Sequence, residues 1–382
     1  MRMTARRRLA KIRRRSAQAA WRAALGNVSG SIPGQYCRSM VEAGYRQEIR
    51  KHLLEFDVLT CAHVEHYELD GSLPAHYRRS KAFDDRHIYR LRDVYVDPQT
   101  GLSWLPEGPI LGESYGSLIR VLGSAALDGP VARTRETVAD VAVLLPADGY
   151  FHWLLEALPA TLHALARAPE AALIVPSTAP RYLDDAVRML GVERVVRTDG
   201  PVRVEELVLA ARHAYSGFVP REDVQILRQS FLPKMTEARG GSSLNIYVSR
   251  RLAARSPFNE AALEEALYRK GVSSVHPERL SLEEQIELFS SAECVIGPCG
   301  AGLANLVWSS ASFVGEVFSV PPTSSSLLFN DCHARLAASR GMKYKSFACR
   351  RLPGTWGLLP IEEIVEEASR NTSLSRGPRS AR

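Results

Sequence analysis

Glu293-Cys294-Val295-Ile296-Gly297-Pro298-Cys299-Gly300-Ala301-Gly302-Leu303-Ala304-Asn305-Leu306-Val307-Trp308 reads as a buried strand, a glycine-rich turn and the opening turns of a helix. Such a junction is an anion site. Glycine lets backbone approach a ligand closely, and the N–H groups and dipole at a helix start favour phosphate or carboxylate. The glycines at 297, 300 and 302 match neither the G-x-G-x-x-G of a dinucleotide fold nor the G-x-x-x-x-G-K-[ST] of a phosphate loop. Close helix–strand packing is the competing reason for glycine at these positions.

Outward from this stretch the chain alternates between strand-like and helix-like runs. Around it the pattern predicts a strand at 244–249, a helix at 259–270, a strand at 272–276 and a helix at 281–290. That helix opens with the capping box Ser281-Leu282-Glu283-Glu284. Strands at 294–296 and 314–320 and a helix at 324–339 complete the unit. Upstream, 141–145 reads as a strand. Residues 151–166 repeat apolar side chains at 151, 154, 155, 158, 162 and 165, which is one face of a helix. Runs at 173–175, 182–190, 195–196 and 204–210 continue a βαβ rhythm and predict a mostly parallel sheet. Residues 30–138 are less regular, rich in aromatic, Gly and Pro residues, with short strand candidates such as 94–96.

Glu237-Ala238-Arg239-Gly240-Gly241-Ser242-Ser243 is polar and glycine-rich, the composition of a linker. The expected organisation is a basic arm over 1–29, an α/β domain over 30–236 and a second over 243–350. A segment over 351–382 carries a last helix at 361–369 and a polar tail. Two such units create a cleft, with ligands at the carboxyl ends of the strands.

The 382 residues suffice for two domains, each with its own core, and 45% hydrophobic with 24% charged residues is an ordinary globular composition. Much of the net charge of +7 lies in Arg2, Arg6, Arg7, Arg8, Lys11, Arg13, Arg14 and Arg15, with no acidic residue before Glu42. The body is therefore near neutral, and no nucleic-acid partner is expected. Leu9, Ile12 and Ala19 to Trp21 give the basic segment some apolar character, so a surface helix on anionic lipid through residues 1–22 and a disordered arm both stand. No apolar run of about 18 residues and no long signal core occur, so the expected location is cytoplasmic, with peripheral contact at the inner face of the membrane. The six cysteines form no C-x-x-C pair and read as reduced thiols.

Four clusters carry candidate chemistry. Arg250, Arg251 and Arg255 follow the strand Asn245-Ile246-Tyr247-Val248, and arginine forks at a strand's carboxyl end suit phosphate oxygens. The glycine turn is the second. Glu316 is an acid inside the apolar strand Phe313-Val314-Gly315-Glu316-Val317-Phe318. It either accepts hydrogen bonds from ribose hydroxyls or, at a sheet edge, faces water. The fourth is Tyr150-Phe151-His152-Trp153-Leu154-Leu155-Glu156, where His152, Glu156 and His163 fall on one helix face and offer a general base. A solvated His–Glu pair is the alternative there. The spacing is not that of a zinc helix, so no metal ligand set and no cofactor are expected.

Taken together the chain resembles glycosyltransferase family 61, which includes bacterial capsular-polysaccharide-type transferases and eukaryotic O-GlcNAc and xylosyl transferases. The resemblance rests on Tyr150 to Glu156, on Tyr247-Val248-Ser249-Arg250-Arg251 with Asn259-Glu260, and on Ser281-Leu282 through Phe289 leading into Gly297-Pro298-Cys299-Gly300-Ala301-Gly302-Leu303, then Glu316. It implies a GT-B architecture: two Rossmann-like domains with parallel sheets facing across a cleft, the second holding the donor and the first the acceptor. It also implies inversion at the anomeric carbon and no obligatory metal, which agrees with the absence of a D-x-D triplet from the sequence. One departure is Cys299, where the family pattern has His after Gly-Pro.

On that resemblance a nucleotide-sugar donor, a UDP-sugar, transfers its sugar to a hydroxyl of a glycan or glycolipid acceptor in polysaccharide biosynthesis. His152 or Glu156 acts as the base. Arg250, Arg251, Arg255, Gly297, Cys299, Gly300, Ala301, Gly302, Leu303 and Glu316 hold the donor. Two rivals remain. One is a hydrolase or acyltransferase built on Cys299, whose Gly297-Pro298-Cys299-Gly300-Ala301 setting has the layout of a nucleophile elbow, with His333 as a base. The other is an inactive nucleotide-sugar-binding relic.

Overall fold

The computed structural model describes residues 52–59, 64–66, 80–82, 85–106, 111, 114, 137–212, 218–234, 244–253, 256–318, 332–350 and 357–373. The basic arm, the 237–243 linker, Arg255 and the expected 324–331 helix start lie outside them.

The fold is mixed α/β. Its first sheet has seven strands. β1 (Leu53–Leu59) lies at one end, and a separate hairpin of β2 (Val64–His66) and β3 (Ser80–Ala82) comes next in the chain. β4 (Arg86–Asp97), β5 (Leu102–Trp104), β6 (Val141–Leu144), β7 (Ala172–Pro176), β8 (Val195–Thr198) and β9 (Val202–Ala210) complete the sheet in the order β1-β4-β9-β6-β7-β8, with β5 also on β4. β9, β6, β7 and β8 run parallel, whereas β1, β4 and β5 pair antiparallel. The expected βαβ core is thus present, and the irregular front segment contributes an antiparallel extension whose chief strand is twelve residues long.

The second sheet is wholly parallel. β10 (Leu244–Val248), β11 (Ser273–Val275), β12 (Ala292–Pro298), β13 (Phe313–Phe318) and β14 (Lys343–Ala348) lie in the order β11-β10-β12-β13-β14. The helix Leu282–Ser290 carries the expected capping box: the Ser281 hydroxyl accepts from the Glu284 N–H (3.1 Å) and the Glu284 carboxylate from the Ser281 N–H (2.6 Å). The last helix, Ile361–Ser373, packs Ile364 and Ala368 against Leu263 and Leu267.

Alternation along the strands sorts the cores. In β6 and β7, Ala142, Leu144, Ala172 and Ile174 face one apolar cluster, while Val143, Leu173 and Val175 face another. In the second sheet, Tyr247, Cys294 and Ile296 point to a cluster under the last helix. Ile246, Val248, Val295 and Val314 instead join the same cluster as Val143 and Val175. Each unit thus has a cluster of its own beside one that they share. One apolar layer, containing the fully buried Trp153 and Trp308, is shared by both sheets. Among the described residues no helix is long and apolar enough to cross a membrane.

Candidate active site at the carboxyl ends of the central strands

In the second sheet the chain leaves β10 for β11 on one side and later returns to the other side as β12. Loops leaving neighbouring strands in opposite directions open a crevice at their carboxyl ends. β10 ends at Ser249 and Arg250, and β12 at the glycine turn. The first sheet has a matching reversal between β6 and β9, and the Tyr150–His152 turn comes after β6. Topology alone thus brings three of the four clusters to strand ends.

Closeness dictates the glycines at the crevice. A Cβ on Gly297 would sit 3.0 Å from Val248 Cβ and 3.1 Å from the Val248 carbonyl oxygen, and one on Gly300 2.7 Å from Arg250 Nη1. Packing therefore explains Gly297, while Gly300 makes room for a guanidinium. Arg250 donates to the Cys299 carbonyl, so it lies across the turn. The turn continues into a 3-10 helix of seven residues, Ala301–Val307, rather than an α-helix. Its leading residues are Ala301, Gly302 and Leu303.

Glu260, buried and first in the helix Glu260–Tyr268, sets the direction of Arg250. One carboxylate oxygen accepts from the Arg250 N–H (2.7 Å) and the Tyr247 hydroxyl (3.0 Å), the other from Ser256 (2.9 Å). Burial, reinforced by this carboxylate, pushes the Tyr247 phenol well above its ordinary pKa. Arg251 turns elsewhere, ion-paired with Glu264 at 2.8 Å on the same helix; that hydrogen bond raises its pKa. Of the described arginines expected at the strand end, only Arg250 leans on the turn.

The helix after β6 holds a local irregularity. Trp153–Ala157 forms a π turn between Tyr150–His152 and the α-helix Leu158–Arg167. Bonds from i to i+5 insert one residue and rotate the remainder of the helix by about 100°. His152 and Glu156 still meet, with Nδ1 2.8 Å from Oε1. His163 is carried off their face. It is buried against Asp223 (3.0 Å), which also pairs with buried Arg86, so the expected three-residue face is corrected. The solvated-pair reading is corrected as well: the Glu156 side chain is 5% exposed and that of His152 44%.

Tyr150 joins the two units. Its hydroxyl donates to Asn305 Oδ1 at 2.7 Å, and Asn305 Nδ2 donates to Gln285 (2.9 Å) and the Gly302 carbonyl (3.1 Å). Burial pushes the Tyr150 pKa up. Phe151 presents its ring to two imidazoles, with centroids 5.3 Å from His152 and 5.5 Å from His333. The His152 pair and the turn's surroundings are therefore neighbours.

Glu316 is fully buried in β13, which lies between β12 and β14, so the edge-strand alternative is excluded. Its oxygens bind His333 Nδ1 and the Tyr344 hydroxyl, each at 2.7 Å. Burial and this carboxylate push the Tyr344 pKa well up.

Sequence patterns take in Tyr150 and Glu260 without giving them a role, and do not single out Asn305 or Tyr344 as site residues. Asn305 carries the clearest signal, an amide within the apolar run Leu303 to Trp308 that must find partners once buried.

Residues 150–314 match the family model described as Glycosyltransferase 61. The resemblance to glycosyltransferase family 61 holds. The family-61 region begins at Tyr150, takes in the His152–Glu156 pair, Arg250, Glu260 and the whole glycine turn, and ends two residues before Glu316. The matched family is one of glycosyltransferases. No curated protein matches the chain.

Proposed function

We propose that the protein is an inverting glycosyltransferase of GT-B type that moves a sugar from a nucleotide-sugar, a UDP-sugar, to a hydroxyl of a glycan acceptor without a metal. The observation that carries this reading is Arg250 laid over the glycine turn at a strand-reversal crevice, within the family-61 region. A guanidinium there meets the charge that develops on the departing diphosphate, with N–H groups of Gly300, Ala301 and Gly302 as further donors. The 3-10 geometry gives the turn a short dipole, so Arg250 has the larger part.

The unequal exposure of the pair on the first unit supports a division of roles. His152 is half-exposed and Glu156 buried, so His152 takes the proton of the acceptor hydroxyl and Glu156 orients the ring through Nδ1. Glu316, with both oxygens engaged, supports the site through His333 and Tyr344 rather than by a ribose contact.

Thermal melting with nucleoside diphosphates and nucleotide sugars, in EDTA, tests the proposal. UDP at about 100 times its Kd adds roughly 2.7 kcal/mol of stability. Absence of stabilisation by every nucleotide tried would remove the donor reading. Stabilisation lost in EDTA and restored by Mn²⁺ would transfer the neutralising role to a metal.

A further inference from the structure

A chain of hydrogen bonds runs from the start of the helix after β6 to the glycine turn, and the chemistry of its members fixes its direction. The Gly302 carbonyl can only accept, so the Asn305 atom 3.1 Å from it is the amide nitrogen Nδ2. Oδ1 then faces Tyr150, whose hydroxyl must donate to it, at 2.7 Å. The second Nδ2 hydrogen goes to Gln285 Oε1 at 2.9 Å, and Gln285 Nε2 donates to the Leu280 carbonyl at 3.4 Å. Asn305 and Gln285 are both buried, so neither amide can replace a lost partner with water at little cost.

The far end of this chain holds the turn. The peptide joining Gly302 to Leu303 is pinned on both sides: its carbonyl accepts from Asn305, and its N–H donates to the Gly300 carbonyl at 3.0 Å. The near end lies two residues before His152. Tyr150 belongs to the first unit, whereas Asn305, Gln285 and Leu280 belong to the second. The Tyr150 ring has packing of its own, with centroids 5.1 Å from Tyr182 and 6.1 Å from Trp153, so loss of the hydroxyl alone leaves the ring in place.

We propose that Tyr150 and Asn305 are positioning residues that couple the two units: the Tyr150 hydroxyl supports the shape of the glycine turn, and the same bond sets the place of His152. The coupling serves sugar transfer only if the turn is the donor site and His152 the base, so it rests on that reading. Both residues act through other groups, Tyr150 through Asn305 and Asn305 through the Gly302 carbonyl. A nucleotide that favours the ordered turn tightens the Tyr150 bond, and by linkage the bond tightens the nucleotide by the same factor. Loss of one neutral hydrogen bond therefore weakens nucleotide binding about 5-fold. Looser placement of His152 lowers turnover about 10-fold.

The test compares the full wild-type chain with Tyr150→Phe. In amide hydrogen exchange without ligand, residues 302–306 are expected to exchange about 5-fold faster in the variant, while 294–296 in the same unit are unchanged. Asn305→Ser, altered in the second unit, is expected to speed exchange at 150–156 in the first. In Tyr150→Phe the UDP Kd is expected to rise about 5-fold, and kcat at saturating UDP-sugar and acceptor to fall about 10-fold with the acceptor KM within about 2-fold of wild type. Unchanged exchange at 302–306 would overturn the proposal. So would faster exchange spread evenly over both sheets, which is what a purely structural role gives, or an unaltered UDP Kd or kcat beside a wild type that binds UDP. Coupled exchange in a wild-type chain that binds no nucleotide would instead remove the donor reading and support the coupling of the units.

Discussion

Glu260→Ala perturbs the support of the crevice without touching any proposed ligand contact. Its carboxylate, 1% exposed, accepts three hydrogen bonds. Truncation leaves the Arg250 N–H and the Tyr247 hydroxyl facing a cavity with no acceptor. Each buried orphan costs about 1–3 kcal/mol, whereas Ser256, at the periphery, can turn to water. The expected loss is therefore about 3–5 kcal/mol, at the upper end of single substitutions. Glu260→Gln keeps an amide oxygen for the two inner donors and presents an NH2 to the Ser256 oxygen, so its cost is about 1 kcal/mol. Urea unfolding of the three proteins in parallel measures the difference. A Glu260→Ala protein within about 1 kcal/mol of wild type, or indistinguishable from Glu260→Gln, would show that the carboxylate does not organise the strand end.

Other substitutions probe different parts of the account. Gly297→Ala forces a Cβ against the Val248 backbone carbonyl at 3.1 Å, which cannot rotate away, and is expected to cost about 1–3 kcal/mol in urea unfolding. Glu284→Gln tests the capping box by pH: the Ser281 N–H holds the Glu284 carboxyl below its usual pKa. The stabilisation is therefore present above the unfolded value of about 4.3 and lost as pH falls through the folded pKa, so wild type and variant differ in Tm at pH 7 and converge once the pH lies below that folded pKa.

Much of the fold was legible because buried parallel strands and their helices leave strong apolar periodicity, as at 141–145 and 204–210. Of β4 only 94–96 was, since Arg90 and Arg92 interrupt the apolar residues before it. The structure accommodates Arg90 through Glu206 at 2.6 Å on β9, a cross-strand pairing invisible in sequence. No strand is expected at Lys343–Ala348, where Lys343 and Lys345 break the apolar pattern, yet one forms beside β13. At the site, Arg250 and the turn were readable from their place at strand ends. The shared core, the π turn that removes His163, and the Glu316–His333 pairing depend on tertiary contacts between segments distant in sequence.

The central claim is that the two units divide the work, with Arg250 holding the donor and His152 taking the acceptor proton. The direct measurement compares donor Kd and transfer rate in wild type, His152→Ala, Glu156→Gln and Arg250→Ala, using UDP-sugar and a hydroxyl acceptor. The account predicts that His152→Ala and Glu156→Gln each lower turnover by about 10² or more with donor Kd nearly unchanged, while Arg250→Ala weakens donor binding itself. Near-normal turnover in both His152→Ala and Glu156→Gln, or unaltered donor affinity in Arg250→Ala, would contradict it.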